Sequence, residues 1–269
     1  MSKLILIAKR DGNKEELNLD KLHKVVFHAC EGITGVSPSE VEIKSHIQFY
    51  NGITSSDIQE TLIKSAADLI SEETPNYQYV AGRLINYHLR KHVYGSFDPP
   101  HLLKIIKNNI NKGFYDKEIL EFYTEDEISQ LNDYIKHERD NMLTYAAMEQ
   151  FRGKYLVQNR STNQIFETPQ VAYIMISATL FSKYPKETRL QYVKDYYDAI
   201  STFDISLPTP VMAGVRTPQR QFSSCVLIES GDSLDSINAT SSAVVKLSLI
   251  HISEPTRQAE ISYAVFCLK

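Results

Sequence analysis

The chain has 269 residues, a formal net charge of -4 and 42% hydrophobic residues. That is enough for one large or two medium globular domains, and the mildly acidic balance argues against a nucleic-acid surface as its main role. No stretch reaches the ~18 consecutive apolar residues of a membrane-spanning helix, and the apolar run after Met1 is too short for a signal sequence.

Leu4 to Ala8 reads as a short apolar strand. Asp11-Gly12 is a hairpin-turn signal, and Glu15 to Asn18 is the expected return strand. Asn18 or Asp20 can cap the next helix, which sets Leu22, Val25, Val26 and Cys30 on one face. Val41 to Tyr50 continues as helix and Asn51-Gly52 stops it. Ser56 and Gln59 have the spacing of a capping box for a helix running to about Ile70. Tyr77 to His92 is another helix, closed near Gly95, and Pro99-Pro100 marks a boundary. Residues 1–95 therefore form one unit, a small hairpin on a helical bundle.

Residues 101 to about 200 are mostly helical by period. Leu102, Ile105, Ile106 and Ile110 make one apolar stripe. Ala172, Ile176, Leu180 and Phe181 make a second, and Leu190, Val193, Tyr197 and Ile200 a third. The tyrosines of "VKDYYDAI" read as packing residues. Glu121 to Glu125 and Glu127 read as a charge cluster on a solvated face. Cys30, Cys225 and Cys267 give no disulfide framework, so the chain reads as cytoplasmic with reduced thiols. No CxxC, His/Cys cluster or HExxH is present, so no metal site is expected.

The densest information lies in Leu207 to Asn238, "LPTPVMAGVRTPQRQFSSCVLIESGDSLDSIN". Cys225 follows Ser223-Ser224 and opens an apolar run, Val226-Leu227-Ile228, that reads as a buried strand. By itself Cys225 is most simply a buried structural cysteine, and Asp232-Ser233-Leu234 an ordinary turn. The whole string, however, closely resembles the segment entering the catalytic barrel of the large (alpha) chain of class I ribonucleotide reductase. "YLVQNR" at 155–160 belongs to the same resemblance. The resemblance implies that Cys225 is one of two reducing thiols, closing a disulfide with a cysteine further along the chain. It implies that Thr209, on a stiff loop between Pro208 and Pro210, contacts substrate phosphate with help from Ser224. Asp232, Ser233 and Leu234 would form part of a specificity effector site at a dimer interface.

At the other end, "LILIAKRDGNKEELNLDKLHKVV" resembles the start of the ATP-cone, a regulatory nucleotide-binding module. Lys9 ends the first strand, and the hairpin returns Glu15 and Asn18 toward it. Lys21 sits in the first turn of a helix, where an anion is favoured. His88 and Lys91, three apart, share a helix face. Phe49 and Tyr87 are candidates for the wall against a base. On spacing alone, surface lysines on unrelated faces are the better reading; the family string reverses that preference. By resemblance the positions contacting ATP or dATP are Lys9, Glu15, Glu16, Leu17, Asn18, Leu19, Asp20, Lys21, Ser55 and Lys91, with His88 as a further candidate. The family pattern has threonine at the Ser55 position and histidine at the Gln59 position. Both replacements keep hydrogen-bonding capacity, and the second bears on dATP inhibition more than on binding.

The expected fold class is mostly α: a small β-hairpin on a helical bundle over 1–95, a helical domain over 96–205, and over 206–246 the first strand of an α/β barrel. From Leu247 onward no periodicity survives. "LSLIHISEPTR" and "ISYAVFCLK", back-translated, resemble a DNA-library adapter, so 247–269 is expected to be a sequencing artefact and the natural chain to continue past Lys246. The function implied is reduction of ribonucleoside diphosphates to deoxyribonucleoside diphosphates by thiol and radical chemistry. ATP, dATP and deoxynucleotides would be effectors. A small (beta) subunit would carry the radical cofactor, thioredoxin or glutaredoxin would be the reductant, and the full-length chain would form a homodimer without membrane or nucleic acid. A non-catalytic ATP-cone regulator is the alternative, and a helical interaction protein a third reading.

Overall fold

The computed structural model describes residues 5–9, 12–46, 48–220, 222 and 227–247. Strands β1 (Leu6–Ala8) and β2 (Lys14–Glu16) pair antiparallel, with Ile7 opposite Glu15. Gly12, at φ +85, takes the left-handed turn that the hairpin needs. A parallel bridge from Ala8 to Thr54, and the Gly52 amide donating to the Leu6 carbonyl at 2.8 Å, extend this small sheet.

Four helices complete the first unit. They are α1 (Leu19–Cys30), α2 (Pro38–His46), α3 (Ser55–Ala67) and α4 (Tyr77–Tyr94). Asn18 caps α1, its side chain accepting from the Lys21 amide at 2.9 Å, and Leu22, Val26 and Cys30 turn inward as the period requires. Burial raises the Cys30 thiol to about 11, so it stays a protonated core residue. Gly95 ends α4 in the left-handed conformation and returns its amide to the Lys91 carbonyl. Two expectations need correction. The second helix runs from Pro38 to His46 rather than from Val41 to Tyr50, since proline suits a first helical turn. The third is capped by Thr54, which accepts from the Asp57 amide at 3.0 Å, not by the Ser56/Gln59 pair, which lies inside the helix.

The second unit follows α4 after the connecting residues 95–101. It contains α5 (Leu102–Asn111), α6 (Ile119–Phe122), α7 (Glu125–Tyr134), a 3-10 turn (His137–Met142), α8 (Tyr145–Gln150), a π-helix (Phe151–Tyr155), α9 (Pro169–Leu180) and α10 (Lys186–Ser201). A hairpin of β3 (Gln158–Asn159) and β4 (Gln164–Ile165), too short to leave a period-2 signal, joins the π-helix to α9. The stripe expected on α9 is absent for a physical reason: Val171 to Ala178 are buried on every side, so this is a central helix. The α10 stripe is observed in Val193, Tyr197 and Ile200, all inside.

Glu127 is not a solvated charge. It closes a capping box with Thr124 and takes a bidentate pair from Arg189, which is 2% exposed, at 2.6 Å. Partial burial pushes its carboxyl up, but the Arg189 and Thr124 bonds outweigh that and hold it below the usual carboxylate range. The Arg189 guanidinium also lies 4.4 Å above the Tyr123 ring, which explains how a long cation enters this core.

The segment after α10 departs most from expectation. Thr209 begins a short helix, α11 (Thr209–Gly214), capped by Pro208, instead of lying on a loop. Proline at N-cap and N2 fits a helix start, because the missing amides are orphans there anyway. The expected strand at 226–228 is not formed in its described part: Leu227 is 99% exposed and, like Ile228, has no ladder partner among the described residues. An isolated strand cannot satisfy its own amides and carbonyls. Helix α12 runs from Leu234 to Leu247, taking in the first residue of the stretch expected to be an artefact; residues 248–269 lie outside the described residues. The buried apolar side chains form one continuous cluster from Ile7 to Val215, crossing both units. Among the described residues no helix is long and apolar enough to cross a membrane.

Candidate functional site

A cleft of about 450 Å³ opens between the hairpin, the start of α1, the start of α3 and the end of α4. Lys9, Lys21 and Lys91 bring three ammonium groups to it, against the single carboxylate of Glu15. Lys9 Nζ lies 2.6 Å from Glu15 Oε2 and Lys21 Nζ 3.9 Å from Oε1, so Glu15 holds two of the three lysines in position. Ile7, Leu17, Leu22, Val25 and Ile58 supply an apolar wall. Asn18, Ser55 and Gln59 add neutral polar groups, and Gln59 Oε1 is buried with no hydrogen-bond partner among the described residues. A buried acceptor left open on a cleft wall is costly unless a ligand donor reaches it. Cations for phosphate, a flat apolar wall, and a lone acceptor for an amino group are what a nucleotide requires.

Most of the expected effector positions converge here: Lys9, Glu15, Leu17, Asn18, Lys21, Ser55 and Lys91 all line the cleft. Glu16, Leu19 and Asp20 do not, and lie exposed. Alternation along β2 explains Glu16, since it sends Glu15 to the cleft and its neighbour to the opposite face. His88 is a correction. Three residues back from Lys91 it is rotated by about 60° on the helix, and it lines a separate cleft, 3.5 Å from Glu60. Phe49 and Tyr87 are not wall residues either. Tyr87 stacks on Phe97 at 4.8 Å, and Phe49 packs beside His46.

The second unit is held by two buried polar clusters that sequence reasoning missed. In one, Glu167 accepts from the Val157 amide at 2.6 Å, from the Tyr115 hydroxyl at 2.5 Å and from Arg216, whose Nε lies 2.8 Å away. Both terminal nitrogens of Arg216 are also engaged: Nη1 reaches the Met212 carbonyl and Nη2 the Tyr155 carbonyl. Val157 and Tyr155 belong to "YLVQNR", so that string marks a seat for a buried ion pair. In the other, Arg90 of α4 donates to the His137 carbonyl and to Asp140, and Gln170 donates to Asp140 at 3.0 Å. Burial pushes the Asp140 carboxyl up to about 6 against the pull of Arg90 and Gln170. The available signals were local and weak: Arg90 among the apolar residues of α4, and Glu167 in the short connection between β4 and α9.

Ser224 and Cys225 lie outside the described residues, so their expected roles find no geometry here. Thr209 stands at the first position of α11. Asp232 and Ser233 precede α12, and Leu234 begins it. The Ser233 hydroxyl accepts from the Ser236 amide at 3.1 Å. No side chain of α12 is buried; Leu234 is 79% exposed, and Ile237, Val244 and Val245 also face outward. Among the described residues no three His, Cys, Asp or Glu gather as a metal site.

Residues 5–92 match the ATP cone domain family, and residues 141–220 match the ribonucleotide reductase all-alpha domain family. Over 246 residues the chain is 60% identical to ribonucleoside-diphosphate reductase 1 subunit alpha of Escherichia coli strain K12. It is 59% identical over the same length to the subunit alpha of Haemophilus influenzae. It is 47% identical over 245 residues to that of Enterobacteria phage T4. The matches take in 90 to 91% of this chain but 32% of each relative, so the chain spans about a third of their length.

Proposed function

We propose, for a chain that belongs to the ribonucleotide reductase family through its ATP cone and all-alpha domain, that it is the nucleotide-sensing N-terminal part of a ribonucleoside-diphosphate reductase large subunit. The observation that carries this reading is the cleft where Lys9, Lys21 and Lys91 surround Glu15 beside an apolar wall. ATP and dATP would compete there. The lysines take the phosphates as charge-assisted donors. The wall and the open Gln59 oxygen take the base, and the Glu15 carboxylate, beside Lys9 and Lys21, accepts from ribose hydroxyls.

The whole protein would reduce ribonucleoside diphosphates to their deoxy forms. Two thiols supply two electrons, the ribose 2′-oxygen leaves as water, and a disulfide forms. In that reading Cys225 is one of the thiols, and Thr209 and Ser224 hold the substrate phosphate. The Thr209 hydroxyl, at the first position of α11, is the group that would make that contact. Asp232, Ser233 and Leu234 would bind a deoxynucleotide effector at the foot of α12, whose bare apolar face suits pairing with a second copy. A radical-generating beta subunit and a thioredoxin or glutaredoxin would complete the system. The division into a cone over 1–95, a helical domain over 96–205 and a catalytic segment over 206–246 follows this reading, with 247–269 taken as adapter-derived. A stand-alone cone regulator would have no use for the all-alpha domain or the segment from Thr209 to Cys225.

Titration calorimetry with ATP and dATP on the 269-residue chain tests the cleft. Removing one charge-assisted phosphate contact in Lys9→Ala should cost roughly 1.5–3 kcal/mol, or about ten- to a hundredfold in affinity. Equal affinity for both proteins would sink the assignment.

A further inference from the structure

Gln59 and Glu60 are neighbours on α3 but face different clefts. Gln59 lines the lysine cleft, and Glu60 lines the second one, of about 370 Å³, between α3, α4, α8 and the π-helix. In that second cleft Arg152 of the π-helix joins the two units. Its Nη1 lies 2.8 Å from Glu60 Oε1, and its Nε donates to Glu149 Oε2 at 3.0 Å. One planar fork is thus shared between a carboxylate of the cone and a carboxylate of the helical domain, an arrangement arginine supports and lysine does not.

The π-helix is the second unusual feature. Residues 151–155 follow α8 directly, so the chain passes from α to π turns with no break. π-turns are rare, short and common at functional places. Reverting such a turn to α geometry swings its last residue by about 100°. That last residue is Tyr155. Its carbonyl accepts from Arg216 Nη2 at 3.0 Å, and Arg216 Nη1 donates to Met212 of α11 at 2.6 Å. Met212 lies one turn from Thr209. A continuous set of bonds therefore runs from the turn of α3 that carries Gln59, through Arg152 and the π-helix, to the helix that carries Thr209.

We propose that Arg152 is a positioning residue that transmits nucleotide occupancy of the lysine cleft to the π-helix and through it to α11. The inference rests on the nucleotide reading of that cleft. A donor engaging Gln59 fixes the α3 turn, and with it Glu60. In this proposal the π-helix supplies the second arrangement that coupling between distant sites requires, by reverting to α turns. The reciprocal also holds: loosening the π-helix must change nucleotide affinity by the same factor.

The test uses the 269-residue chain, ATP as ligand, calorimetry, and hydrogen exchange of backbone amides. In the unaltered chain, saturating ATP should slow exchange at 15–21, in the cleft, and change it at 151–157 and 209–216. Arg152→Gln should still bind ATP, with affinity moved by roughly two- to thirtyfold, and should lose the response at 151–157 and 209–216. Arg152→Lys keeps the charge and guards against a folding defect, and it should lose the response as well. Glu60→Gln combined with Arg152→Gln should do no more than either alone. If 15–21 respond while 151–157 and 209–216 do not, or if either Arg152 variant keeps the full distant response, the inference is overturned and the cleft assignment stands. If the unaltered chain shows neither heat nor protection with ATP, the cleft assignment itself fails and the inference falls with it.

Discussion

Replacing Glu167 by glutamine removes one charge and almost no volume from the centre of the second unit. Arg216 and Glu167 both have fully buried side chains, so the guanidinium would keep its charge with no water to screen it. Its carbonyl partners at Met212 and Tyr155 remain, and glutamine can still accept from the Val157 amide. What is lost is the countercharge. Breaking a buried pair from one side costs about 3–5 kcal/mol, and the retained hydrogen bonds argue for the lower end. For a chain of this size that corresponds to a fall of roughly 6–20 °C in Tm. Urea and thermal denaturation followed by circular dichroism measure it. The loss should be the same in low and high salt, because buried charges are little screened. Glu125→Gln, on the exposed pair with Lys107, should cost under about 1 kcal/mol and only in low salt. Changing Glu167 to leucine together with Arg216 to methionine should recover much of the loss, since neither charge is then stranded. A Glu167→Gln chain within about 1 kcal/mol of the original would refute the claim that this pair fastens "YLVQNR" to α11.

Two further outcomes are expected. Asp140, lifted to about 6 by burial, holds a proton in the fold that it would release when unfolded, so its contribution falls as pH rises from about 4 to 6. His137 is depressed to about 4 by burial and by Arg90, and pulls the other way in the same window. The difference between chains is therefore the quantity to measure: Asp140→Asn should gain on the original between pH 4 and 6 by roughly 3 kcal/mol at most and run parallel above it, and a constant difference across that window would contradict it. Gly82→Ala should destabilise by at least about 1–3 kcal/mol although alanine is the better helix former. Its Cβ would run into the Leu143 carbonyl oxygen and lie 3.0 Å from the Thr144 carbonyl carbon. Calorimetric melting decides it, and a more stable Gly82→Ala chain would mean the backbone at 143–144 yields.

Local signals carried far in the first 95 residues. Gly12, Asn18 and Gly95 each constrain the backbone through their own chemistry, so the hairpin, the α1 cap and the α4 terminus were legible, whereas the helix expected to run to Asn51-Gly52 ends at His46. Part of the lysine cleft was legible because Lys9, Glu15, Asn18 and Lys21 cluster in one hairpin and helix start, while Ser55 and Lys91, from α3 and α4, came only with the family string. Failures came where long-range partners decide. Nothing near Glu127 reveals that Arg189, sixty-two residues on, will bury it. His88 was misassigned because α4 has two occupied sides, and a spacing of three does not say which side a residue faces. Thr209 was read as a loop because two flanking prolines mark a helix start as readily as a turn. The stripe assigned to α9 failed because a helix buried all round has no period to read.

Helix α4 also governs how the molecule can come apart. One side carries Lys91 to the lysine cleft; another seats Gly82 under the 143–144 backbone and sends Arg90 into the Asp140 cluster. A wall shared in this way leaves no place for a fracture. Peeling the cone from its neighbour would strip a core that runs unbroken from Ile7 to Val215 and strand Arg90 and Asp140 together. Partial opening is thereby priced close to complete unfolding, and whatever the cone senses must be passed on by small shifts within a closed body rather than by one lobe swinging free.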